Sequence, residues 1–254
     1  MFSPEEIMEI SINSGVKKVK KPLLTKVLLG FVGGAMIGLG YMAYLRVIAS
    51  VAEQLGSLAS LIGAAIFPIG LIVILLGGGE LITGNMMAVS IAWFDKKVKT
   101  SELLKNWLVI TLANLVGGFF VAYVFGHLTG LTTSGVYLEE LNSIVQTKID
   151  ATMLQKFLSG IGCNWFVGLS LWLCYGAKDA AGKILAIWFP VMTFVAIGFQ
   201  HSVANAFMIP AAIFEGLVTW GDFWANFLPV YAGNILGGAG LVSAIYYFSY
   251  HHKH

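Results

Sequence analysis

Six stretches of apolar sequence, each long enough to cross a lipid bilayer as a helix, constrain this chain more than anything else in it. A hydrocarbon core of about 30 Å needs about 20 helical residues. The stretches run near Leu23 to Ser50, Leu58 to Phe94, Leu103 to Leu128, Met153 to Tyr175, Ile184 to Thr219 and Phe223 to Tyr250. None alternates apolar with polar residues, so a transmembrane barrel is set aside and an all-α membrane protein of six helices is expected. With 57% hydrophobic residues, 11% charged residues and a mean hydropathy of +0.81, the chain has too little polar surface for a water-soluble domain.

Lysines gather in alternate connections. Lys17, Lys18, Lys20 and Lys21 precede the first stretch, Lys96, Lys97, Lys99 and Lys105 follow the second, and Lys178 and Lys183 follow the fourth. The other connections, Ser50 to Ser57, Thr129 to Asp150 and Glu215 to Asp222, hold only Lys148. Positive-inside reasoning then places both termini in the cytoplasm, with the chain threaded through the cytoplasmic (inner) membrane. A net charge of +2 with no separate basic stripe gives no nucleic-acid partner.

Ahead of the first helix, Ser3-Pro4-Glu5-Glu6 reads as an N-cap, a first-turn proline and a capping-box glutamate, with Gly15 as the stop. Ile7, Met8 and Ile10 give this short helix an apolar side. Residues 1–22 are therefore expected as a cytoplasmic amphipathic tail, 23–250 as one transmembrane domain and 251–254 as a C-terminal tail. Cys163 and Cys174 match no metal or redox spacing and read as packing residues, so neither metal nor cofactor is expected.

Sliding the chain against itself by 120 residues aligns Asn106-Trp107-Leu108 with Asn226-Phe227-Leu228, Asn114-Leu115 with Asn234-Ile235, and Gly117-Gly118 with Gly237-Gly238. The same offset pairs Gly40 with Gly160, Gly78 with Gly198 and Asn85 with Asn205. The chain reads as a repeat of three helices, about 23–128 and 153–250, in a single register. Three is odd, so the second copy enters the membrane from the opposite side, giving an inverted 3+3 repeat.

Helices two and five are each too long for one straight span and carry polar residues at mid-length. Gly77-Gly78-Gly79-Glu80-Leu81-Ile82-Thr83-Gly84-Asn85 and Gly198-Phe199-Gln200-His201-Ser202-Val203-Ala204-Asn205 combine helix-weakening glycines with side chains able to satisfy freed backbone groups. Both helices are expected to break there, leaving half-helices whose positive N-terminal ends face inward, a site for a small anion. Close helix packing is the other use for Gly77 to Gly79.

These motifs, with Lys105-Asn106-Trp107, Asn114-Leu115-Val116-Gly117 and Cys163-Asn164-Trp165-Phe166-Val167, make the chain similar to the formate/nitrite transporter family over about residues 4 to 249. The resemblance implies an aquaporin-like protomer with its own pore, assembled as a homopentamer in the lipid bilayer. It implies His201 as the central pore histidine, Thr83 as its partner on the other broken helix, and Asn164 as a polar pore-lining residue. Phe67, Leu71 and Phe194, with Leu81 and Ile82 nearby, match the apolar constrictions. Lys148 and Lys18 match lysines that draw anions to the two mouths. Where formate and nitrite branches usually have glutamate before the histidine, this chain has Gln200, which resembles the hydrosulfide branch. Hydrosulfide is thus the expected substrate, with formate as a further one and formate or nitrite as the alternative physiological anion. A gating role for the N-terminal helix also enters by resemblance, beside simple anchoring.

Read on their own, these residues keep a second role in view. An ionisable group at mid-membrane is a functional-site hypothesis by default, which favours a pore role for His201 over a satisfied core histidine. Glu80 could bind amides freed at the break or orient Thr83 and His201. Lys148 has Glu139, Glu140 and Asp150 as possible surface partners. An embedded enzyme is the rival class, but the sequence has no HEXXH motif or activated serine arrangement, so no catalytic residue is assigned. A neutral-solute channel would carry asparagine-proline-alanine signatures, which are missing.

Overall fold

The structure, a computed structural model, describes residues 1–251. Among the described residues ten helices longer than one turn organise it: α1 (Pro4–Lys20), α2 (Leu23–Ile48), α3 (Ser57–Gly78), α4 (Ile82–Phe94), α5 (Thr100–Leu128), α6 (Gly135–Asp150), α7 (Met153–Gly176), α8 (Ala180–Ile197), α9 (Ser202–Phe214) and α10 (Trp220–Tyr250). Six of them are long and apolar enough to cross a membrane, while α4 and α9 are shorter apolar helices. The tail expected over 251–254 lies, but for His251, outside the described residues.

Both expected breaks are present. After Gly78 the chain runs extended and restarts as α4 at Ile82, and after Gly198, at φ +88°, it restarts as α9 at Ser202. Every residue from Ile82 to Ala92 and from Ser202 to Ala212 is buried, so the half-helices form the core that the full-length helices enclose. Glycines permit that enclosure. A Cβ on Gly117 would run into the carbonyl of Phe31, and one on its repeat mate Gly237 into that of Ile161. The third helix of each repeat therefore packs backbone to backbone on the first, as small residues allow in membranes.

The inverted repeat is visible in the bonding, but its register is not single. Asn114 Nδ2 donates to the Gly30 carbonyl at 2.7 Å, and Asn234 Nδ2 donates to the Gly160 carbonyl at 2.7 Å. Gly160 therefore corresponds to Gly30, not to Gly40, and the first helix carries an offset of 130. The extra residues lie in the longer connection after α2 and in α2 and α3 themselves, which have 26 and 22 residues against 24 and 18 in α7 and α8.

Two lateral helices precede the repeats. α1 has the expected capping box at Ser3 and Glu6 but does not stop at Gly15. Gly15 instead lies against the Ala88 carbonyl, letting α1 press onto α4. α6, its counterpart on the opposite face, buries Leu141, Val145 and Lys148 at helical spacing. On α5, exposed Leu104, Leu108, Leu112 and Val116 recur every four residues, an apolar stripe suited to lipid or another protomer.

Candidate functional site

Helix breaks at mid-membrane survive only if their freed backbone groups find partners. Here one asparagine serves each break. Asn114 Oδ1 accepts the Ile82 amide at 2.8 Å while its Nδ2 donates to the carbonyls of Gly30 and Glu80 at 2.7 and 2.8 Å. Asn234 repeats the pattern, accepting from Ser202 N at 3.0 Å and donating to Gly160 and Gln200. The repeat alignment displayed these asparagines, but their role as clamps across three helices needed the fold.

The two half-helices point their N-termini at one another, and their first side chains meet. Thr83 Oγ1 lies 2.9 Å from His201 Nε2, both residues being buried. His201 caps α9, because its Nδ1 accepts the Ala204 amide at 3.1 Å. With Nδ1 occupied as an acceptor, the tautomer that fits carries its hydrogen on Nε2, facing Thr83. A capping histidine that also offers a donor to the centre was not legible from the sequence.

A cavity of about 580 Å³ leads to His201 from the α6 face, with Tyr41, Phe67, Lys148, Phe194, Gln200 and His201 in its walls. The Phe67 and Phe194 rings meet edge to face at 6.0 Å, and Phe194 stacks near His201 at 6.2 Å. Leu71, Leu81 and Ile82 are buried outside the cavity walls. Asn164 is also outside them. Its Nδ2 donates to the Asn234 carbonyl at 2.7 Å and the Thr83 carbonyl at 3.3 Å, tying the first half-helix to the second repeat.

The two mouth lysines differ sharply. Lys18 Nζ is 2.9 Å from Glu80 Oε2, and Lys21 Nζ is 2.9 Å from Glu80 Oε1. The charge of Lys18, the lysine matched to an anion-drawing role, is thus paired with a carboxylate, and Glu80 binds lysines rather than broken-helix amides or Thr83. Lys148 is buried yet makes no ion pair among the described residues, and its ammonium lies 5.5 Å from the Tyr41 ring. Burial pushes its pKa down to about 8.

Gln200 explains the difference. It occupies the Glu80 position of the second repeat, and its Oε1 accepts from Asn205 at 2.9 Å and Asn226 at 2.8 Å. Asn226 also donates to the Lys148 carbonyl at 2.9 Å, as Asn106 does to that of Lys18 at 3.4 Å. The amide frames match across the repeat, but only one contains a carboxylate.

Comparison with known proteins agrees with this geometry. The chain is 55% identical to the uncharacterized transporter YrhG of Bacillus subtilis (strain 168) over 98% of this chain and 94% of the relative. It is 49% identical to the formate channel BtFdhC of Bacillus thuringiensis over 99% of this chain and 96% of that protein. A solved pentameric formate channel with formate bound superposes with a TM-score of 0.80 at 28% identity, covering 92% of this chain and 99% of that one. Residues 5–248 match the formate/nitrite transporter family, and the chain belongs to that family as a multi-pass membrane protein.

Proposed function

We propose that this chain conducts small monovalent anions, formate foremost, through a pore inside each protomer of a homopentamer. One observation carries the reading: a buried lysine with no ion pair among the described residues lines a cavity that reaches His201, which meets Thr83 where the two half-helix N-termini come together. The likeness to a formate channel and to a pentameric formate-bound channel supports the substrate and the assembly. The named relatives are channels or transporters, and transport rather than catalysis is the chemistry of the family.

Lys148 raises the local anion concentration. The Phe67 and Phe194 rings strip water from the anion, and His201, Thr83 and the inward helix ends replace part of its hydration. Leu71, Leu81 and Ile82 form the apolar barrier beyond, towards the face that carries α1. The lysine-rich connections support an orientation with that face and both termini in the cytoplasm, the membrane being the cytoplasmic one.

Hydrosulfide is a second reading, favoured by Gln200, which places a neutral amide where a carboxylate would repel a small anion. Proteoliposome flux with formate, hydrosulfide, nitrite, chloride and a larger monocarboxylate tests both readings. Formate is expected to pass fastest and the larger acid slowest. Hydrosulfide ahead of formate selects the second reading, and flux that grows with substrate size rules out both.

A further inference from the structure

In the cavity wall Gln200 is bonded to two buried asparagines, and the hydrogens of all three amides can be assigned outward from a group that has none to give. The Lys148 carbonyl can only accept, so the Asn226 atom 2.9 Å from it is Nδ2. That nitrogen has a second hydrogen, donated to Gln200 Oε1 at 2.8 Å. Asn226 Oδ1 in turn accepts from Asn205 Nδ2 at 2.8 Å, and the second hydrogen of Asn205 Nδ2 goes to Gln200 Oε1 at 2.9 Å. Turning the three amides over together would set the Asn226 oxygen against the Lys148 carbonyl oxygen. One orientation of the Gln200 amide therefore survives.

In that orientation the other polar atoms of Gln200 are all engaged. Its backbone amide donates to Ser159 Oγ at 2.9 Å, its carbonyl accepts from Asn234 Nδ2 at 3.4 Å, and both lone pairs of Oε1 are taken. Nε2 alone makes no hydrogen bond among the described residues. Gln200 is only 6% exposed and lines the cavity it shares with Lys148 and His201. Unlike the enclosed Oδ1 of Asn205, its Nε2 is open to that cavity and presents two hydrogens to it. The matching position on the α1 face offers nothing similar, since Lys18 and Lys21 hold both oxygens of Glu80.

We infer that Gln200 is a specificity-determining residue of the anion path: its Nε2 donates a hydrogen bond to an oxygen of the passing anion and so favours oxygen anions such as formate and nitrite over hydrosulfide. That an anion passes at all rests on the transport reading above; the donor adds the choice among anions. An N–H bond to a charged oxygen is about twice as strong as a neutral one, whereas sulfur accepts weakly. A neutral amide in place of a carboxylate would by itself admit all three anions. An amide fixed with its donor forward separates them, because a site built to complete a hydrogen bond rejects an analogue that cannot complete it. The Lys148 charge, by contrast, attracts every small monovalent anion and makes no such choice.

The ratio of formate to hydrosulfide flux in proteoliposomes at pH 7, corrected for protein-free liposomes, tests this. Gln200→Met keeps the length and neutrality of the side chain without a donor, and each asparagine amide keeps a partner, Asn205 in Asn226 and Asn226 in the Lys148 carbonyl. Gln200→Glu keeps acceptor oxygens for the two asparagines without an N–H, and its charge repels every monovalent anion, so it cancels in the ratio. In both variants the ratio is expected to fall about tenfold, the loss for one hydrogen bond to a charged group, with nitrite following formate. An unchanged ratio in either variant that assembles overturns the donor and leaves the transport reading standing. Broadening of the formate proton resonance by the detergent-solubilised pentamer reads binding without transport. Formate held about tenfold more weakly by Gln200→Met than by the parent supports the donor even if no flux occurs, a result that counts against the transport reading alone. Equal broadening in the two proteins, or none in the parent, overturns the donor.

Discussion

Where the two half-helices meet, the Ala204 amide points at Nδ1 of His201 while Nε2 faces Thr83. Asparagine can divide itself the same way, with a side-chain oxygen for the cap and an amide for the centre, and it ranks among the best N-caps. His201→Asn is therefore expected to assemble and to keep formate flux within about tenfold of the parent, since a sound cap costs little. His201→Phe loses the cap, about 1 kcal/mol, together with the central donor, and flux should fall to the liposome background. Equal flux in the two variants would remove His201 from the pathway. The sequence made His201 conspicuous by its place at a helix break, but the capping bond depends on a side-chain direction that only the folded backbone fixes.

Lys148 offers a second test at this scale. Its pKa is pushed down by burial to about 8, so its positive charge is complete well below that pH and is lost as the pH rises through it. Formate stays ionised throughout that range, so flux measured from pH 7 to 9 should fall with rising pH, and Lys148→Arg should hold it level because guanidinium keeps its charge. Lys148→Ala should lower flux at pH 7, more at low salt than at high salt, since salt screens the attraction felt by an anion still in solution beyond about 8 to 10 Å at physiological ionic strength. A fall above pH 8 that survives in Lys148→Arg would assign it to another group.

Among the elements, the broken helices owe their geometry to side chains far away in sequence. Asn114 and Asn234 stand on the third helix of each repeat, yet each holds the first helix and the break together through three bonds. Asn234→Leu is nearly isosteric and leaves the Ser202 amide and the Gly160 carbonyl without their partner. An unmet buried group costs about 1–3 kcal/mol, so a clear drop in the detergent melting temperature is expected along with lost flux. Asn114→Leu should act alike on α4, and an unchanged melting temperature in either variant would show the clamps to be dispensable. The glycine-rich breaks could be read in advance because they interrupt an apolar run. α6 reads as a connection in the sequence because Glu139 and Glu140 interrupt its stripe of Leu141, Val145 and Lys148, which is the available signal. Gly15 misled for a related reason: a glycine that ends helices elsewhere serves here for close approach to Ala88.

Across the whole molecule, the pseudo-two-fold should make the two mouths alike, and one amide makes them differ. On the α1 face, Glu80 pairs with Lys18 and Lys21; on the α6 face, Gln200 stands at the matching position, bonded to Asn205 and Asn226, and Lys148 has no ion pair among the described residues. The six spans and the repeat could be read from the sequence because lipid enforces length and apolarity. The electrostatic inequality could not, because it depends on which lysine meets which carboxylate. Gln200→Glu tests its importance directly. Glutamate retains an oxygen to accept from Asn205 and Asn226, so the frame and the assembly should persist. Its charge would give Lys148 the counter-ion that Glu80 gives Lys18, which weakens the attraction for an incoming anion and stabilises the lysine proton. Formate flux at pH 7 and low salt should fall by severalfold, the gap to the parent should narrow as salt is raised, and the decline of flux between pH 7 and 9 should move upward in pH. Lys148→Ala on the Gln200→Glu background should then cost less than it does in the parent, because the charge it removes is already neutralised. Additive losses in that double-mutant cycle would mean that residue 200 and Lys148 act independently, and the inequality of the two mouths would need another origin.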